Sequence, residues 1–351
     1  MTRSRTTLLR AVTLLAGCVT MTGCDDPKRE AELRWREEEV GAKVADVARR
    51  EQEIANQLRE VEAARMELRQ MESRIALREK EVEQLRAEAQ RAKVEYETKA
   101  RRGPPPPTTA GRVLVVDVNA PDVPLFERLG DKKGAIASTT KIMTGLLLCE
   151  AGDLDKVITI EQSDTECAPV RMGIKKGEQY TRRHLLTALM VKSSNDIAQA
   201  LARDHSGSVE AFVARMNERA KELGCKDTLF INPNGLPPVE GEPDPYSTAH
   251  DLVLMTIAAD KLPELREMVK LKSCWFEKPD GKKIPLENTN RVLRTYEFCD
   301  GFKTGFTNAA GYCLVATGEK NGRRRIVVIL NGTRDGVWRD AQSLLEWSLK
   351  I

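Results

Sequence analysis

Apolar residues recur with a period of seven along residues 25–102, a stretch composed almost entirely of Glu, Arg, Ala, Lys and Gln. This heptad spacing predicts one long helix that pairs with another as a coiled coil, extending on the order of 100 Å at about 1.5 Å per residue. The second position of the seam often carries Glu or Arg, so a single solvated helix with ion pairs between successive turns is the alternative. The seven-residue set consists of Leu33, Val40, Val47, Ile54, Val61, Leu68, Ile75, Val82 and Ala89.

A proline-rich segment follows at residues 103–111, with the sequence Gly-Pro-Pro-Pro-Pro-Thr-Thr-Ala-Gly. Proline cannot continue a helix, and consecutive prolines favour an extended, stiff chain. We therefore interpret this segment as a linker. Residues 112–351 are then the part of the chain expected to form a globular domain.

Within that domain the pattern places strands at both ends and helices between them. The last two strand-like runs flank Asn321-Gly322, a typical hairpin turn. This order predicts an α/β domain whose sheet is assembled from the two ends of the domain, with a mostly helical lobe inserted. The expected strands cover residues 113–118, 123–128, 313–317 and 325–330, and the expected helices cover residues 136–148, 182–191, 196–205, 208–223, 248–259 and 338–349.

Residues 136–148 are apolar on nearly every side of a helix, which indicates a helix buried all round. Lys141 follows Ser138 by three residues, and this spacing puts both side chains on one face. This arrangement would bring three groups together away from water. The Ser138 hydroxyl would be the nucleophile and the Lys141 amine its base, and the unpaired N–H groups at the helix start would form part of an oxyanion site. The S-x-x-K motif is short, and chance matches to it are common.

Two further motifs follow in order: Ser193-Ser194-Asn195 between two helical patterns, and Lys303-Thr304-Gly305 before a strand-like run. The series S-x-x-K, S-x-N and K-T-G is the signature of penicillin-binding proteins and class A β-lactamases. The residues around the motifs, at 136–146, 193–202, 232–236 and 303–315, resemble the D-alanyl-D-alanine carboxypeptidase family of low-molecular-weight penicillin-binding proteins. The resemblance covers about residues 111–351.

The resemblance implies a β-lactamase/transpeptidase-like fold, in which an antiparallel sheet is flanked by helices and the active site lies between sheet and helical lobe. It also implies a serine-type D-Ala-D-Ala carboxypeptidase that trims peptidoglycan stem peptides through an acyl-enzyme and is inhibited by β-lactams. A D,D-endopeptidase that cleaves cross-links would use the same residues. A non-catalytic envelope lipoprotein that binds muropeptides is the alternative outside the enzymes. A β-lactamase is disfavoured, because no separate glutamate motif is evident.

Each matched residue has an expected role. Ser138 is the nucleophile, and Lys141 is its base, provided that desolvation or a neighbouring cation favours the neutral amine. Lys303 can supply that charge and, with the Thr304 hydroxyl, hold the substrate carboxylate. Gly305 leaves room for a substrate to lie along the strand as an added strand.

The remaining roles come from the resemblance. The backbone N–H of Phe306 joins that of Ser138 in the oxyanion hole, Ser193 relays a proton between Lys141 and the leaving amine, and Asn195 binds the substrate backbone. Three positions depart from the family pattern without removing a reacting group. Ser194 replaces the usual glycine, Phe306 replaces Tyr or His, and Asn234 replaces His. Arg339 and Arg334 are candidates for a second carboxylate-binding charge, with a surface ion pair as the alternative for each.

Residues 1–24 have the pattern of a lipoprotein-type signal peptide, with three arginines, an apolar run and Cys24 as the expected lipidation site. Cys18 is the second candidate, because it has the better local match but leaves a short apolar run. An ordinary cleaved signal or an uncleaved anchor is the alternative. The protein is thus expected to be exported and periplasmic, anchored by its lipid, with the choice between inner and outer membrane left open.

The net charge of only +3 gives no reason to expect a nucleic-acid partner. The three histidines are isolated in sequence and no cysteine pair has metal-binding spacing, so neither a metal nor a cofactor is expected. Cys274 and Cys299 form the candidate disulfide, whereas Cys149 and Cys313 lie in apolar runs typical of buried thiols. The expected partners are stem peptides, β-lactams as inhibitors, a membrane, and a second copy of the chain through the coiled coil.

Overall fold

The computed structural model describes residues 27–100, 103–167 and 169–350. The expected signal peptide, with Cys18 and Cys24, lies outside the described residues. The chain divides into two compact units, residues 1–83 and 84–351. No helix among the described residues has both the length and the apolar character needed to cross a bilayer.

The first described element is a single helix, α1, which spans Pro27–Ala100 and is 74 residues long. Its heptad positions are open to solvent, as shown by Ile54 at 56% exposure and Val61 at 50%. Ion pairs four residues apart, such as that between Lys43 and Glu39, also stabilise its surface. The predicted long helix is therefore confirmed, and its pairing with a second helix stays a prediction.

The elements that follow α1 form a main sheet, whose strands come from the two ends of the domain, and a helical lobe between them. In chain order they are β1 (Arg112–Asp117), β2 (Phe126–Arg128), a 3₁₀ turn (Ala137–Thr140), α2 (Lys141–Glu150), β3 (Val157–Thr159), a second 3₁₀ turn (Ser163–Glu166), β4 (Gln179–Thr181), α3 (Arg182–Lys192), α4 (Asn195–Ser206), α5 (Val209–Glu222), α6 (Ala249–Asp260), α7 (Pro263–Val269), β5 (Ser273–Glu277), β6 (Lys283–Glu287), α8 (Val292–Thr295), β7 (Cys299–Thr307), β8 (Gly311–Lys320), β9 (Arg323–Gly332) and α9 (Gly336–Leu349).

The main sheet has the strand order β2-β1-β9-β8-β7, and every neighbouring pair is antiparallel. The strand β1 pairs with β9 along its whole length, from Arg112 opposite Leu330 to Asp117 opposite Arg325. The two strands come from opposite ends of the domain, so the predicted sheet built from both ends is confirmed. The predicted hairpin turn is also confirmed, since Asn321 and Gly322 both have positive φ between β8 and β9.

Both faces of the sheet are covered, and alternate residues of β1 contact different cores. Leu114 and Val116 belong to the core shared with the helical lobe. Val113 and Val115 belong to a second core, which includes residues of α9. All six residues of β1 are buried, as expected of a central strand with helices on both faces.

The six predicted helices are present, with ends shifted by up to five residues: five belong to the helical lobe, and α9 packs on the other face of the sheet. Thr248 begins α6 by accepting a hydrogen bond from the backbone N–H of Asp251. The Asp251 carboxylate accepts bonds from the backbone of Asp227 at 2.8 Å and the hydroxyl of Thr228 at 2.7 Å, so it anchors a loop. The sequence did not predict α7 or the hairpins β3-β4 and β5-β6, whose strands of three to five residues are too short to show a clear period.

The predicted disulfide between Cys274 and Cys299 is wrong. Cys274 lies in the small β5-β6 hairpin, Cys299 lies in the main sheet, and both are free thiols. The Cys299 thiol donates instead to the carbonyl of Gly301 at 3.3 Å. Of the two cysteines expected to be buried, Cys313 is buried and Cys149 is partly exposed.

Candidate active site

Ser138 lies in the 3₁₀ turn that leads directly into α2. The sequence predicted a regular helix over this stretch, but Ala137 has a φ of +49°, so the α-helix starts only at Lys141. The Thr139 hydroxyl stabilises the turn by donating to the carbonyl of Ile136 at 2.7 Å. The irregular start turns the Ser138 side chain towards the loop that contains Asn234, whose carbonyl accepts from the Ser138 hydroxyl at 3.3 Å.

The Lys141 amine is fully buried and surrounded by three acceptors. Its Nζ donates to Ser138 Oγ at 2.9 Å, to Asn195 Oδ1 at 2.8 Å and to the backbone carbonyl of Asn234 at 2.7 Å. Burial, followed by the positive charge of Lys303, holds the pKa of Lys141 well below its usual value. The amine is thus placed and tuned to take a proton from Ser138.

Lys303 lies in β7 and is also buried. Its Nζ donates to Ser193 Oγ at 2.8 Å and to the carbonyl of Thr304 at 3.0 Å. Burial lowers the pKa of Lys303 to about 7, because the charged ammonium loses its hydration. Ser193 ends α3 in a left-handed conformation, which directs its hydroxyl at Lys303.

The expected relay runs from Lys141 to Ser193, whereas the hydrogen bond in the structure joins Ser193 to Lys303. Asn195 likewise contacts the protein at both ends of its side-chain amide. Its Oδ1 accepts from Lys141, and its Nδ2 donates to the carbonyl of Pro169 at 2.8 Å. Asn195 therefore positions Lys141, and the substrate contact expected of it stays a prediction.

The backbone carbonyl of Asn234 belongs to the site, although the sequence analysis predicted no role for it. It accepts from both Lys141 and Ser138, and the turn that presents it depends on Gly235. Gly235 has a φ of +80°, and a Cβ there would lie 2.0 Å from the Ala137 carbonyl oxygen. The run Asn-Pro-Asn-Gly at residues 232–235 is a strong turn signal, but a main-chain acceptor cannot be recognised from side-chain types.

The strand β7 packs closely against the nucleophile turn. A Cβ on Gly305 would lie 2.7 Å from the backbone nitrogen of Ser138, so only glycine fits without displacement. The Thr304 hydroxyl is 2.6 Å from that of Thr289 and is largely buried. Phe306 is half exposed, and its ring packs on Tyr312 with centroids 4.3 Å apart.

Two other charged groups lie outside this set. Arg339 is exposed and pairs with Asp340 at 3.4 Å, which matches the surface ion pair considered as an alternative. Glu127, Asp131 and His250 form a group of potential metal ligands at the surface, where His250 Nε2 is 3.1 Å from a Glu127 carboxylate oxygen.

Comparison with known proteins identifies the same region as the related part of the chain. The model of the family described as D-alanyl-D-alanine carboxypeptidase matches residues 98–334. The D-alanyl-D-alanine carboxypeptidase DacF of Bacillus subtilis is 36% identical over 214 residues, which are 60% of this chain and 54% of the relative. The chain thus spans about half the length of this relative. A D-alanyl-D-alanine endopeptidase of Escherichia coli is 30% identical over 248 residues, 69% of this chain and 78% of the relative.

Solved structures give the same result at the level of the fold. The D-alanyl-D-alanine carboxypeptidase of Mycobacterium tuberculosis superposes with a TM-score of 0.66 and 31% identity, covering 71% of this chain and 94% of that protein. A Streptomyces DD-transpeptidase variant superposes with a TM-score of 0.64 and 27% identity, covering 69% of this chain and 98% of that protein. The predicted fold is therefore confirmed.

Proposed function

Because the chain belongs to the D-alanyl-D-alanine carboxypeptidase family of penicillin-binding serine peptidases, we propose that it is a serine-type D-Ala-D-Ala carboxypeptidase that trims peptidoglycan stem peptides. The observation that carries the proposal is the buried amine of Lys141, 2.9 Å from the Ser138 hydroxyl and with a lowered pKa. A pure binding protein would have no use for a desolvated amine beside a hydroxyl, because burying an amine costs free energy.

In this mechanism the stem peptide binds as an added strand along β7. Lys303 and Thr304 hold its terminal carboxylate, and the scissile carbonyl lies against the backbone N–H groups of Ser138 and Phe306. Lys141 takes the proton of Ser138 as Oγ attacks that carbonyl. The two N–H groups stabilise the oxyanion of the tetrahedral intermediate.

The leaving group then requires a proton on its nitrogen. Ser193 accepts a hydrogen bond from Lys303, so its own O–H is free to donate to the amine of the departing D-alanine. In the proposed relay Lys141 then returns its proton to Ser193, which requires these two groups to come within hydrogen-bond distance once the substrate is bound. Free D-alanine leaves, and an ester remains on Ser138. A water molecule, deprotonated by Lys141, hydrolyses the ester and regenerates the hydroxyl.

A β-lactam carries a strained amide and a carboxylate, so it fits the same groups. Attack by Ser138 opens the ring, but the amine released remains attached to the acyl group and obstructs the entry of water. We therefore expect a long-lived covalent adduct on Ser138. Intact-protein mass spectrometry of the purified full chain with a β-lactam tests this, with Ser138→Ala as the control. An adduct on the wild type alone supports the acyl-enzyme, and its absence from both proteins refutes it and favours the muropeptide-binding lipoprotein.

A D,D-endopeptidase is the second candidate, since the Escherichia coli relative and a Pseudomonas aeruginosa relative at 35% identity are both named endopeptidases. The reacting residues would be the same, and only the group beyond the scissile bond would differ. Incubation with purified monomeric and cross-linked muropeptides separates the two activities. Release of D-alanine without loss of cross-linked dimers is expected of the carboxypeptidase.

The remainder of the chain suits a tethered enzyme. We propose that residues 1–24 direct export, that Cys24 receives a lipid in the periplasm, and that residues 25–102 and the linker 103–111 carry the catalytic domain 112–351. The 74-residue length of α1 supports a spacer role. Metabolic labelling with a fatty-acid analogue tests the anchor: the label is expected on the wild type and absent from Cys24→Ala, whereas labelling only of a chain that retains Cys18 would reassign the site.

A further inference from the structure

Thr144 lies on α2, three residues after Lys141, and is fully buried. The roles argued above do not include it. A buried threonine inside a helix commonly donates its hydroxyl hydrogen to the carbonyl four residues earlier in the same helix. Thr256 of α6 does so, with a bond of 2.6 Å to the carbonyl of Leu252. The Thr144 hydroxyl instead leaves its helix and donates to the carbonyl of Pro233 at 2.6 Å.

This bond ties α2 to the turn that presents the Asn234 carbonyl. The three-residue spacing puts Lys141 and Thr144 on one face of the helix. Their side chains donate to two consecutive carbonyls of the turn, that of Asn234 at 2.7 Å and that of Pro233 at 2.6 Å. One face of α2 therefore holds both the base and a neutral hydroxyl that fixes the acceptor next to it.

The side chain of Asn232 forms two further bonds at this turn. Its Oδ1 accepts from the backbone N–H of Gly235 at 2.7 Å, and its Nδ2 donates to the carbonyl of Leu236 at 3.0 Å. Both bonds join residues of the same loop, so they fix the shape of the turn. The Thr144 bond crosses to another element, so it fixes the place of the turn against α2.

The place of the Asn234 carbonyl matters because a neutral amine has two N–H hydrogens and one lone pair. When the amine of Lys141 donates its hydrogens to Asn195 Oδ1 and to the Asn234 carbonyl, its lone pair is left directed at Ser138 Oγ. If the carbonyl moves, the amine can rotate and the lone pair no longer meets the Ser138 proton. Lys141 cannot hold the carbonyl alone, since the strength of its own bond changes when it gains a proton.

We propose that Thr144 is a positioning residue for acylation, which holds the Asn234 carbonyl where it keeps the Lys141 lone pair on Ser138. The inference rests on the proposed function, since it concerns the step in which Ser138 attacks. Thr144 acts through a main-chain carbonyl of the protein. Its loss should therefore slow the attack without weakening the ligand complex that precedes it.

Thr144→Val tests the role, because valine has nearly the same volume and lacks the hydroxyl. Acylation of the full chain by a chromogenic cephalosporin is followed by stopped flow over a range of concentrations. This separates the dissociation constant of the first complex from the maximal rate of acylation. The maximal rate is expected to fall by about 10- to 100-fold with the dissociation constant unchanged, since a misplacement of about 1 Å can cost 10²-fold. Thr144→Ser restores the donor and is expected to recover most of the rate.

Thr256→Val is the matched control. It removes another fully buried hydroxyl from a bond of the same length, but that bond lies within α6, so the maximal acylation rate is expected to stay unchanged. Intact-protein mass spectrometry measures the fraction of protein that is acylated. Unfolding lowers that fraction, whereas misplacement of the base lowers the rate of the protein that reacts. If Thr144→Val does not fold, Thr144→Cys supplies a weaker donor in a similar volume, and an intermediate fall in the rate is expected.

Failure of the positioning role and failure of the proposed function give different results. If wild type forms the adduct and Thr144→Val, or Thr144→Cys in its place, reaches the same maximal rate, the positioning role alone is overturned. A slower rate that Thr144→Ser does not recover, or that Thr256→Val shares, also overturns it. If wild type forms no adduct, the proposed function is refuted and the role of Thr144 falls with it.

Discussion

Lys303 donates a hydrogen bond of 2.8 Å to the hydroxyl of Ser193, in parallel with the 2.9 Å bond from Lys141 to Ser138. Each buried lysine is thus paired with one serine. The Lys141 pair lies on one helix start, whereas the Lys303 pair joins β7 to the end of α3. The second pair therefore couples the sheet to the helical lobe across the candidate active site.

The pairing predicts that Ser193 and Lys303 act as one unit. Removal of Ser193 should lower kcat/KM for D-alanine release by about 10²-fold or more, as is typical of a proton-transfer group. In a Lys303→Met background, Ser193→Ala should cost less, because the bond between them is already lost, with a coupling of about 1–3 kcal/mol. Ser194→Gly is the control, and its effect on kcat/KM should add to that of Lys303→Met without coupling. If the effects of Ser193→Ala and Lys303→Met on kcat/KM are fully additive, Ser193 is paired with Lys141 instead.

The two lysines predict opposite dependences of the reaction rate on pH. Lys141 acts when neutral, so the rate of acylation should rise with pH through its lowered pKa. Lys303 binds the carboxylate when protonated, and its pKa of about 7 predicts that kcat/KM falls as the pH rises above that value. A stopped-flow profile with a peptide and its C-terminal amide checks this. The amide lacks the carboxylate and should lack the falling limb; the same fall for both ligands would contradict the role of Lys303.

Gly235 is predicted to be essential for the shape of the site. Gly235→Ala should destabilise the protein by about 2–4 kcal/mol, because the new Cβ would strain a positive φ and collide with Ala137. β-Lactam acylation should be lost in parallel. Asn234→Ala is the matched control: it keeps the backbone carbonyl and should cost about 1 kcal/mol for its side-chain bonds. Denaturant unfolding with an acylation assay measures both, and loss of acylation in Asn234→Ala would argue against the main-chain role.

The exposed heptad positions of α1 predict self-association of the full chain as a dimer. Ile54→Asp combined with Val61→Asp should give a monomer, since two charges would be buried in the seam. Ala55→Asp with Ala63→Asp adds the same charges outside the seam and should remain a dimer. Analytical ultracentrifugation distinguishes these states. A monomeric wild type would establish the single solvated helix instead.

Local spacing in the sequence was informative where the relevant partners are close along the chain. Three-residue spacing put Ser138 and Lys141 on one face, and the structure brings their side chains to 2.9 Å. The Asn321-Gly322 turn likewise set the register of the last hairpin. In both cases backbone geometry alone relates the residues.

The sequence was less informative where the fold brings distant groups together. Neither motif spacing nor residue type indicates that Ser193 bonds Lys303, because that contact depends on how α3 packs against β7. The Asn234 carbonyl is a main-chain group and leaves no mark in the side-chain pattern. The disulfide prediction was wrong because Cys274 belongs to a hairpin outside the main sheet.

The pairing of β1 with β9 has a consequence for biosynthesis. A ribosome completes the nucleophile turn and the helical lobe long before Arg323 begins the strand that lies between β1 and β8. Pairing between residues so far apart is slow and has to await the last partner. A nascent chain that ends before β9 already contains Ser138, Lys141, Ser193 and Lys303, yet it lacks the strand that joins β1 to the β7-β8 hairpin. Completion of the sheet beside the candidate active site therefore depends on the strand of this sheet that emerges last, whether from the ribosome or from an export channel.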